Sequence, residues 1–211
     1  GKRPVLLAAR NAHKALLYAA ALLDFDVEWL WPAPEDSGAL CSCPVPAAKL
    51  ADALHALAQQ DRKPFGVYVT SPDYLGGVQD IPALAAVCRA QGVPLLVDNA
   101  HGTYLRFLPQ NCHPIAQGAA MCCDSALKTL PVVTGGAYLH LAHDAPVQDE
   151  AAVRQARVVA VQLLLGDEVY GRVVVREVVG HLHDRLFDRG GVRAGLEDHV
   201  ACLLYTSDAA D

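Results

Sequence analysis

The chain has 211 residues, of which 53% are hydrophobic and 19% are charged, and its formal net charge is −6. This composition supports a packed core and excludes an intrinsically disordered chain. The acidic balance, without a cluster of basic residues, argues against a nucleic-acid partner. Because no apolar run is long enough to cross a bilayer, we expect no membrane partner either.

The predicted elements follow one another as short apolar runs and amphipathic segments. In chain order they are a strand over 5–9, a helix over 12–23, a strand over 27–31, a loop over 35–46, a helix over 47–60 and a strand over 66–71. Asp80 then predicts the N-cap of a third helix, with Pro82 in its first turn and Gly92 at its end. Strand-like runs over 94–98, 119–123 and 132–141 complete the series, the last with a bend at Gly135-Gly136.

Strands that alternate with helices of this length predict an α/β fold with a largely parallel sheet flanked by helices. The near-continuous apolar strands fit burial on both faces. We assign this domain to residues 1–146.

The composition changes after about Pro146. Residues 147–200 contain no Lys, Ser, Thr, Asn, Pro or Ile. A natural pair of helices or a reading-frame slip would each produce such a stretch, and both interpretations stay open. Residues 201–211 end in a run that resembles a translated adapter, so we treat them as a non-native tail and exclude them from fold reasoning.

The cysteines favour a reduced, cytoplasmic protein. Seven are present at irregular spacing, unlike a disulfide framework. Cys41-x-Cys43 and Cys122-Cys123 lack the internal spacing of structural zinc pairs. Adjacent residues of a strand also point to opposite faces. We therefore expect no metal site.

Several polar residues fall just after strand-like runs, namely Ser71, Asp98, His101, Ser125 and Lys128. In parallel sheets, ligands bind beyond the carboxyl ends of the strands. The sequence therefore predicts a binding site at that edge of the sheet.

Lys128 and Asp98 are the two residues with the clearest chemistry. A lysine in apolar surroundings loses its charge by desolvation, which frees its amine to form a Schiff base; a surface lysine is the alternative. Asp98 ends a buried strand and needs a partner, which the protonated pyridine nitrogen of pyridoxal phosphate would provide. A helix cap and a metal ligand are the alternatives for Asp98.

Two histidines and two serines are weaker candidates. His101 is placed to touch a cofactor or substrate, and His13 to stack on an aromatic ring, although a structural role remains open for each. Ser125 and Ser71 offer hydroxyl groups to a phosphate or phenolate oxygen, although loop serines commonly cap turns.

Taken together, the region of about 4–140 resembles the Orn/Lys/Arg decarboxylase family. Four segments carry the resemblance: Arg10-Asn11-Ala12-His13-Lys14, Thr70-Ser71-Pro72-Asp73-Tyr74-Leu75-Gly76-Gly77, Val97-Asp98-Asn99-Ala100-His101-Gly102 and Asp124-Ser125-Ala126-Leu127-Lys128-Thr129-Leu130-Pro131. The order and spacing of the four segments are more specific than any one of them.

The resemblance implies an aspartate-aminotransferase-like large domain that binds pyridoxal 5'-phosphate. Lys128 would bind the cofactor covalently, Asp98 would hold its pyridine nitrogen, and His13 and Ala100 would pack on the two ring faces. Ser125 would contact the phosphate, and His101 would lie near the substrate.

The implied activity is decarboxylation of arginine, lysine or ornithine to a polyamine-type amine, in a homodimer or higher homo-oligomer. Two alternatives stay open. One is another enzyme of the same fold, such as an aminotransferase or a lyase. The other is a cofactor-free homologue with a binding role.

Three departures from the family pattern are visible. Leu127 stands where the family has a histidine directly before the lysine. The family's phosphate loop would precede Pro4, and the Ser/Thr-rich segment that follows its Gly-Gly-Ala-Tyr-Leu-His run does not match the sequence here. We therefore expect this chain to be an incomplete large domain.

Overall fold

The structure is a computed structural model that describes residues 2–36, 38, 41–131, 136–143 and 145. The predicted segments 147–200 and 201–211, and the first part of the predicted strand over 132–141, lie outside the described residues. The chain divides into two compact units. One comprises Gly1–His13 and Asp26–Pro146, and the other comprises Lys14–Phe25 and Val147–Asp211.

The first unit contains a six-stranded sheet. Its strands are β1 (Val5–Ala9), β2 (Asp26–Leu30), β3 (Gly66–Thr70), β4 (Leu95–Asp98), β5 (Met121–Ser125) and β6 (Ala137–Leu141), in the order β2-β1-β3-β4-β5-β6. The pairs from β2 to β5 are parallel, and β6 runs antiparallel to β5. The predicted α/β fold with a largely parallel sheet is confirmed.

Four α-helices are described. They are α1 (Lys14–Leu23), α2 (Ala47–Gln59), α3 (Ile81–Ala90) and the single turn α4 (Ala126–Thr129); α1 belongs to the second unit and the others to the first. No helix among the described residues is both long and apolar enough to span a membrane.

Helices α2 and α3 form the core of the first unit with one face of the sheet. Their apolar positions recur at helical spacing, so each helix turns one stripe toward the strands. The buried cluster includes Leu50, Leu54 and Leu57 of α2, Ile81, Leu84, Ala85 and Cys88 of α3, and Val67, Val69, Leu95 and Val97 of the sheet. Burial of each leucine, isoleucine or valine side chain in this cluster contributes about 1.5–3 kcal/mol.

Helix α3 begins and ends where its sequence signals predicted. The Asp80 side chain accepts a hydrogen bond from the Ala83 amide at 3.1 Å, and Pro82 lies in the first turn. Gly92 has φ +61°, a left-handed conformation that glycine adopts at low cost just after a helix. The predicted N-cap and stop are confirmed.

Two differences from the sequence prediction bear on the site. β5 begins at Met121 rather than Ala119 and includes Asp124 and Ser125, because its pairing with β6 extends to Ser125 opposite Ala137. Lys128 lies in the helical turn α4 rather than in a loop. Elsewhere, β2 lies one residue earlier than predicted, and the 3-10 turn at Pro34–Asp36 overlaps the first two residues of the loop predicted over 35–46.

Candidate functional site

The carboxyl ends of three neighbouring parallel strands define the candidate site. Thr70 at the end of β3 lies opposite Asp98 at the end of β4, and Asp98 lies opposite Cys123 of β5. Residues that follow these strands therefore emerge at the same edge of the sheet. This is the edge at which the sequence predicted a site.

Lys128 and His101 are brought together at this edge from different strands. Nζ of Lys128 lies 3.5 Å from Nε2 of His101 and 5.9 Å from the centroid of the Tyr74 ring. The Tyr74 and His101 ring centroids are 4.8 Å apart. An amine, an imidazole and a phenol thus form one group of side chains, supplied by the segments after β5, β4 and β3.

Tyr74 was not among the predicted site residues. It sits in a turn that the buried Asp73 holds, since Oδ1 of Asp73 accepts hydrogen bonds from the amides of Leu75 at 2.9 Å and Gly77 at 2.7 Å. The Pro-Asp-Tyr-Leu-Gly-Gly run was used only as part of the family resemblance, and nothing in it showed that Tyr74 would lie near Lys128.

The Asp98 carboxylate is half-buried and receives a hydrogen bond on each oxygen. The Tyr68 hydroxyl donates to Oδ2 at 2.9 Å, and the Ala100 amide donates to Oδ1 at 3.1 Å. The pKa of the Tyr68 phenol lies well above its usual value, mainly because the phenol is buried and secondly because the Asp98 carboxylate is close to it. The phenol therefore stays protonated and acts as a donor. Sequence reasoning missed Tyr68, whose role depends on the pairing of β3 with β4.

Ser125 ends β5 and is 5% exposed. Its Oγ atom is buried without a hydrogen-bond partner among the described residues, and so are Oγ1 of Thr129, one residue after Lys128, and Oγ1 of Thr70. A buried hydroxyl without a partner costs free energy, about 1–3 kcal/mol. Hydroxyls at this edge therefore fit a ligand that brings oxygen acceptors.

The remaining predicted residues lie along the same edge. Ser71 is buried, and its Oγ accepts a hydrogen bond from the Gln79 amide at 3.1 Å, so this serine holds the segment after β3. Ala100 follows β4 and precedes His101. His13 follows β1. Because β3 lies between β1 and β4, these two strands are roughly 10 Å apart, at about 4.8 Å per strand spacing.

A second polar group surrounds Asp124, on the opposite sheet face from Asp98. The carboxylate is 3% exposed; its Oδ2 lies 3.1 Å from Nε2 of His113 and 3.1 Å from Nε2 of His140. Its Oδ1 accepts from Nδ2 of Asn99 at 2.7 Å and from Sγ of Cys122 at 3.3 Å.

Burial alone would raise the pKa of Asp124, but the hydrogen bonds from His113, His140, Asn99 and Cys122 outweigh it and hold that pKa well below its usual value. The carboxylate is therefore ionised. Burial, followed by the Asp124 charge, raises the pKa of the Cys122 thiol, which stays protonated. The bond to Asn99 ties this group to the segment that carries Asp98 and His101.

Comparisons with known proteins identify the family of this chain. The sequence matches the profile of the Orn/Lys/Arg decarboxylase major domain over residues 2–160. It is 34% identical over 139 residues to the uncharacterized protein YaaO of Bacillus subtilis (strain 168), an alignment covering 64% of this chain and 28% of YaaO.

Solved structures share the fold. Mouse CSAD matches with a TM-score of 0.55 and 21% identity, over 65% of this chain and 29% of CSAD. Oryza sativa TDC, solved with PLP, matches with a TM-score of 0.57 and 20% identity, over 66% of this chain and 30% of TDC. The chain thus spans less than a third of the length of each of these relatives. The family profile nevertheless covers most of the chain, and the resemblance predicted from the four segments is confirmed: the chain belongs to the Orn/Lys/Arg decarboxylase family and carries part of its major domain.

Proposed function

We propose that the protein to which this chain belongs is a pyridoxal-phosphate-dependent decarboxylase of arginine, lysine or ornithine. The proposal rests on the 3.5 Å contact between the Lys128 amine and the His101 imidazole. This contact lies at the edge of the sheet where Asp98 ends β4. Family membership supports the reaction class. The basic amino acid, the polyamine-type product, a cytoplasmic location and a homodimer are inferences from the same membership.

The residues at this edge fit pyridoxal phosphate. Lys128 would bind the cofactor's aldehyde carbon, and Asp98 would pair with its pyridine nitrogen. Ser125, whose Oγ is buried without a partner among the described residues, would donate to the phosphate, and Ser71 would contribute to the oxygen contacts. Ala100 would pack on one face of the ring and His13 on the other.

The cofactor, when bound, would supply a cationic ring that accepts the electron pair left on the α-carbon when CO2 departs. The chain's own residues would orient the ring and hold protons beside it. Asp98 would direct its carboxylate toward the pyridine nitrogen, and Tyr68 fixes the orientation of that carboxylate through its 2.9 Å hydrogen bond. His101, 3.5 Å from Nζ of Lys128, would hold a proton beside the amine.

The first experiment tests the lysine. Full-length protein is incubated with pyridoxal phosphate, treated with borohydride and digested, and the modified peptide is identified by mass spectrometry. We expect the label on Lys128, and its loss in Lys128→Ala. Lys63→Ala, which changes an exposed lysine after α2, is the matched control and should keep the label. A label that is absent from the wild type, or that stays in Lys128→Ala, contradicts the proposed site.

The second experiment tests the reaction. Full-length protein is supplied with arginine, lysine or ornithine, and both CO2 and keto acids are measured. Release of CO2 with the matching amine supports decarboxylation. Keto acid without CO2 would instead assign an aminotransferase. A folded protein that takes up no cofactor would favour the binding role, for which Leu127, in place of the family's histidine, is the motivating observation.

A further inference from the structure

Two imidazoles and one carboxylate converge beside a cavity on the sheet face opposite to Asp98. His113 comes from the connection between β4 and β5, Asp124 from β5 and His140 from β6. One potential ligand atom from each lies within 4.8 Å of the others. His113 and Asp124 are buried, and the His140 side chain is 37% exposed.

The strand pairing explains this convergence. In the antiparallel register, Cys122 lies opposite His140 and Asp124 lies opposite Tyr138. Side chains two residues apart on a strand share a face, so Asp124 and His140 are diagonal neighbours on one face of the sheet. The Ile115 amide donates to Nδ1 of His113 at 3.3 Å, which turns Nε2 of this ring toward Asp124.

The separations fit the ligand shell of a small divalent ion. Zinc binds imidazole nitrogen and carboxylate oxygen at about 2.0–2.2 Å, and tetrahedral angles then separate neighbouring ligand atoms by roughly 3.3–3.5 Å. Oδ2 of Asp124 lies 3.1 Å from each Nε2, close to that value, whereas the ligand atoms of the two histidines, up to 4.8 Å apart, would move toward each other to admit an ion.

The second oxygen of Asp124 is already held in place. Asn99 donates to Oδ1 at 2.7 Å and the Cys122 thiol at 3.3 Å, which leaves Oδ2 for the imidazoles. Hydrogen bonds of this kind orient the ligands of metal sites and tune their affinity. The carboxylate thus has one oxygen anchored to the protein and the other directed into the cluster.

A cavity of about 390 Å³ adjoins the cluster. All three residues line it, together with Arg106, Phe107 and Tyr138 among others. Zinc sites with three protein ligands keep a further position for water or an exchangeable ligand, and this cavity lies where such a position would open.

We propose that His113, Asp124 and His140 bind one zinc ion through Nε2, Oδ2 and Nε2, with a further coordination position open to the cavity. Binding requires that Nε2 of each neutral imidazole carry no proton. The Nε2 proton of each ring therefore moves to Nδ1 of the same ring, and in His113 it takes the place of the 3.3 Å bond from the Ile115 amide. The proposal is independent of the decarboxylase assignment and uses none of its residues. The prediction of no metal site rested on the spacing of the cysteines, and none of the three proposed ligands is a cysteine.

Cobalt is the probe that tests the site. Full-length protein is stripped with EDTA, kept free of added pyridoxal phosphate, and titrated with Co²⁺ while visible absorption is recorded. We expect saturable d–d bands of a low-symmetry, four- or five-coordinate ion at one cobalt per chain, removed by one equivalent of Zn²⁺. His140→Gln should abolish the bands because it removes one of the three ligands. The variant should still fold, since the His140 ring is partly exposed. His55→Gln, on the exposed side of α2, is the matched control and should keep them.

Exposed thiols are the competing ligands, so Cys41→Ser and Cys123→Ser are titrated in parallel. Both should bind cobalt as the wild type does. The last measurement uses only the wild-type protein. Zn²⁺ should protect His140 of the wild type from carbethoxylation. The proposal is overturned by an absence of cobalt bands in the wild type, by unchanged bands in His140→Gln, by loss of binding in a Cys→Ser variant, or by labelling of His140 that zinc does not slow.

Discussion

Replacing Asp124 by asparagine tests how much the buried carboxylate stabilises the fold. The aspartate accepts four hydrogen bonds, from Asn99, His113, Cys122 and His140. An asparagine of the same shape has one acceptor oxygen and one amide nitrogen, which carries only donors. Whichever way the amide turns, two of the four donors then face another donor.

The size of the effect follows from those two lost contacts. A hydrogen bond to a charged group contributes about 1.5–3 kcal/mol, and a buried donor left without an acceptor costs a similar amount. Because the imidazoles retain some freedom to change tautomer, we expect Asp124→Asn to lower the free energy of unfolding by about 3–5 kcal/mol at neutral pH. Asp52→Asn, the same change at an exposed position of α2, should stay within about 0.5 kcal/mol of the wild type.

The pH dependence has a definite sign. The pKa of Asp124 is lower in the folded protein than in the unfolded chain, so acid favours proton uptake by the unfolded chain. The stabilisation is fully present above the ordinary carboxyl pKa of about 4 and is lost as the pH falls below it toward the folded-state value. The difference between wild type and Asp124→Asn should therefore shrink at pH values below about 4.

Urea unfolding followed by circular dichroism, in EDTA so that metal binding does not contribute, measures both quantities. The same titration is run for the wild type, Asp124→Asn and Asp52→Asn at neutral and acidic pH. A destabilisation below about 1 kcal/mol, or a difference between wild type and Asp124→Asn that acid leaves unchanged, would refute the account of Asp124 as an ionised, four-fold acceptor.

Three further substitutions test other parts of the first unit, each by urea unfolding. Gly102→Ala should destabilise by about 3 kcal/mol or more, since a Cβ there would lie 2.1 Å from Oδ1 of Asn99, whereas Gly38→Ala, with nothing within 4 Å, should be near neutral. Leu50→Ala should cost about 2–5 kcal/mol because that side chain is fully buried in the core; a smaller loss would mean that the core closes around the space. Asp80→Ala should cost about 1 kcal/mol through loss of the N-cap of α3, and no change would show that water replaces it.

The parts of the fold that local patterns determine were predictable. β1 and the start of α3 follow from an apolar run and from an N-cap with proline in the first turn, both signals contained within a few residues. β2 was predicted one residue late because Trp31 continues the apolar run in sequence, although it is 59% exposed in the structure. A run of residue types shows where a strand lies better than where its pairing ends.

The contacts that long-range pairing creates were not predictable in the same way. Lys128 and Asp98 were selected as candidates because Lys128 follows a predicted strand and Asp98 ends one, and parallel strands end at a common edge. Tyr68 was missed because its contact with Asp98 depends on which strands are neighbours. His140 was missed because it joins Asp124 only through the antiparallel pairing of β6, and His113 because it reaches Asp124 from the connection between β4 and β5.

The antiparallel strand β6 has a consequence for how the protein tolerates shortening. The Ala126 amide, the first of the turn that carries Lys128, donates to the Gly136 carbonyl at 2.9 Å, and β6 borders β5 along its whole length. The turn that carries Lys128 is therefore held by a residue that follows it in the chain as well as by β5, which precedes it. A proteolytic product or shortened clone that ends before Gly136 would keep every residue from His13 to Lys128 and still leave the lysine on an unsupported edge.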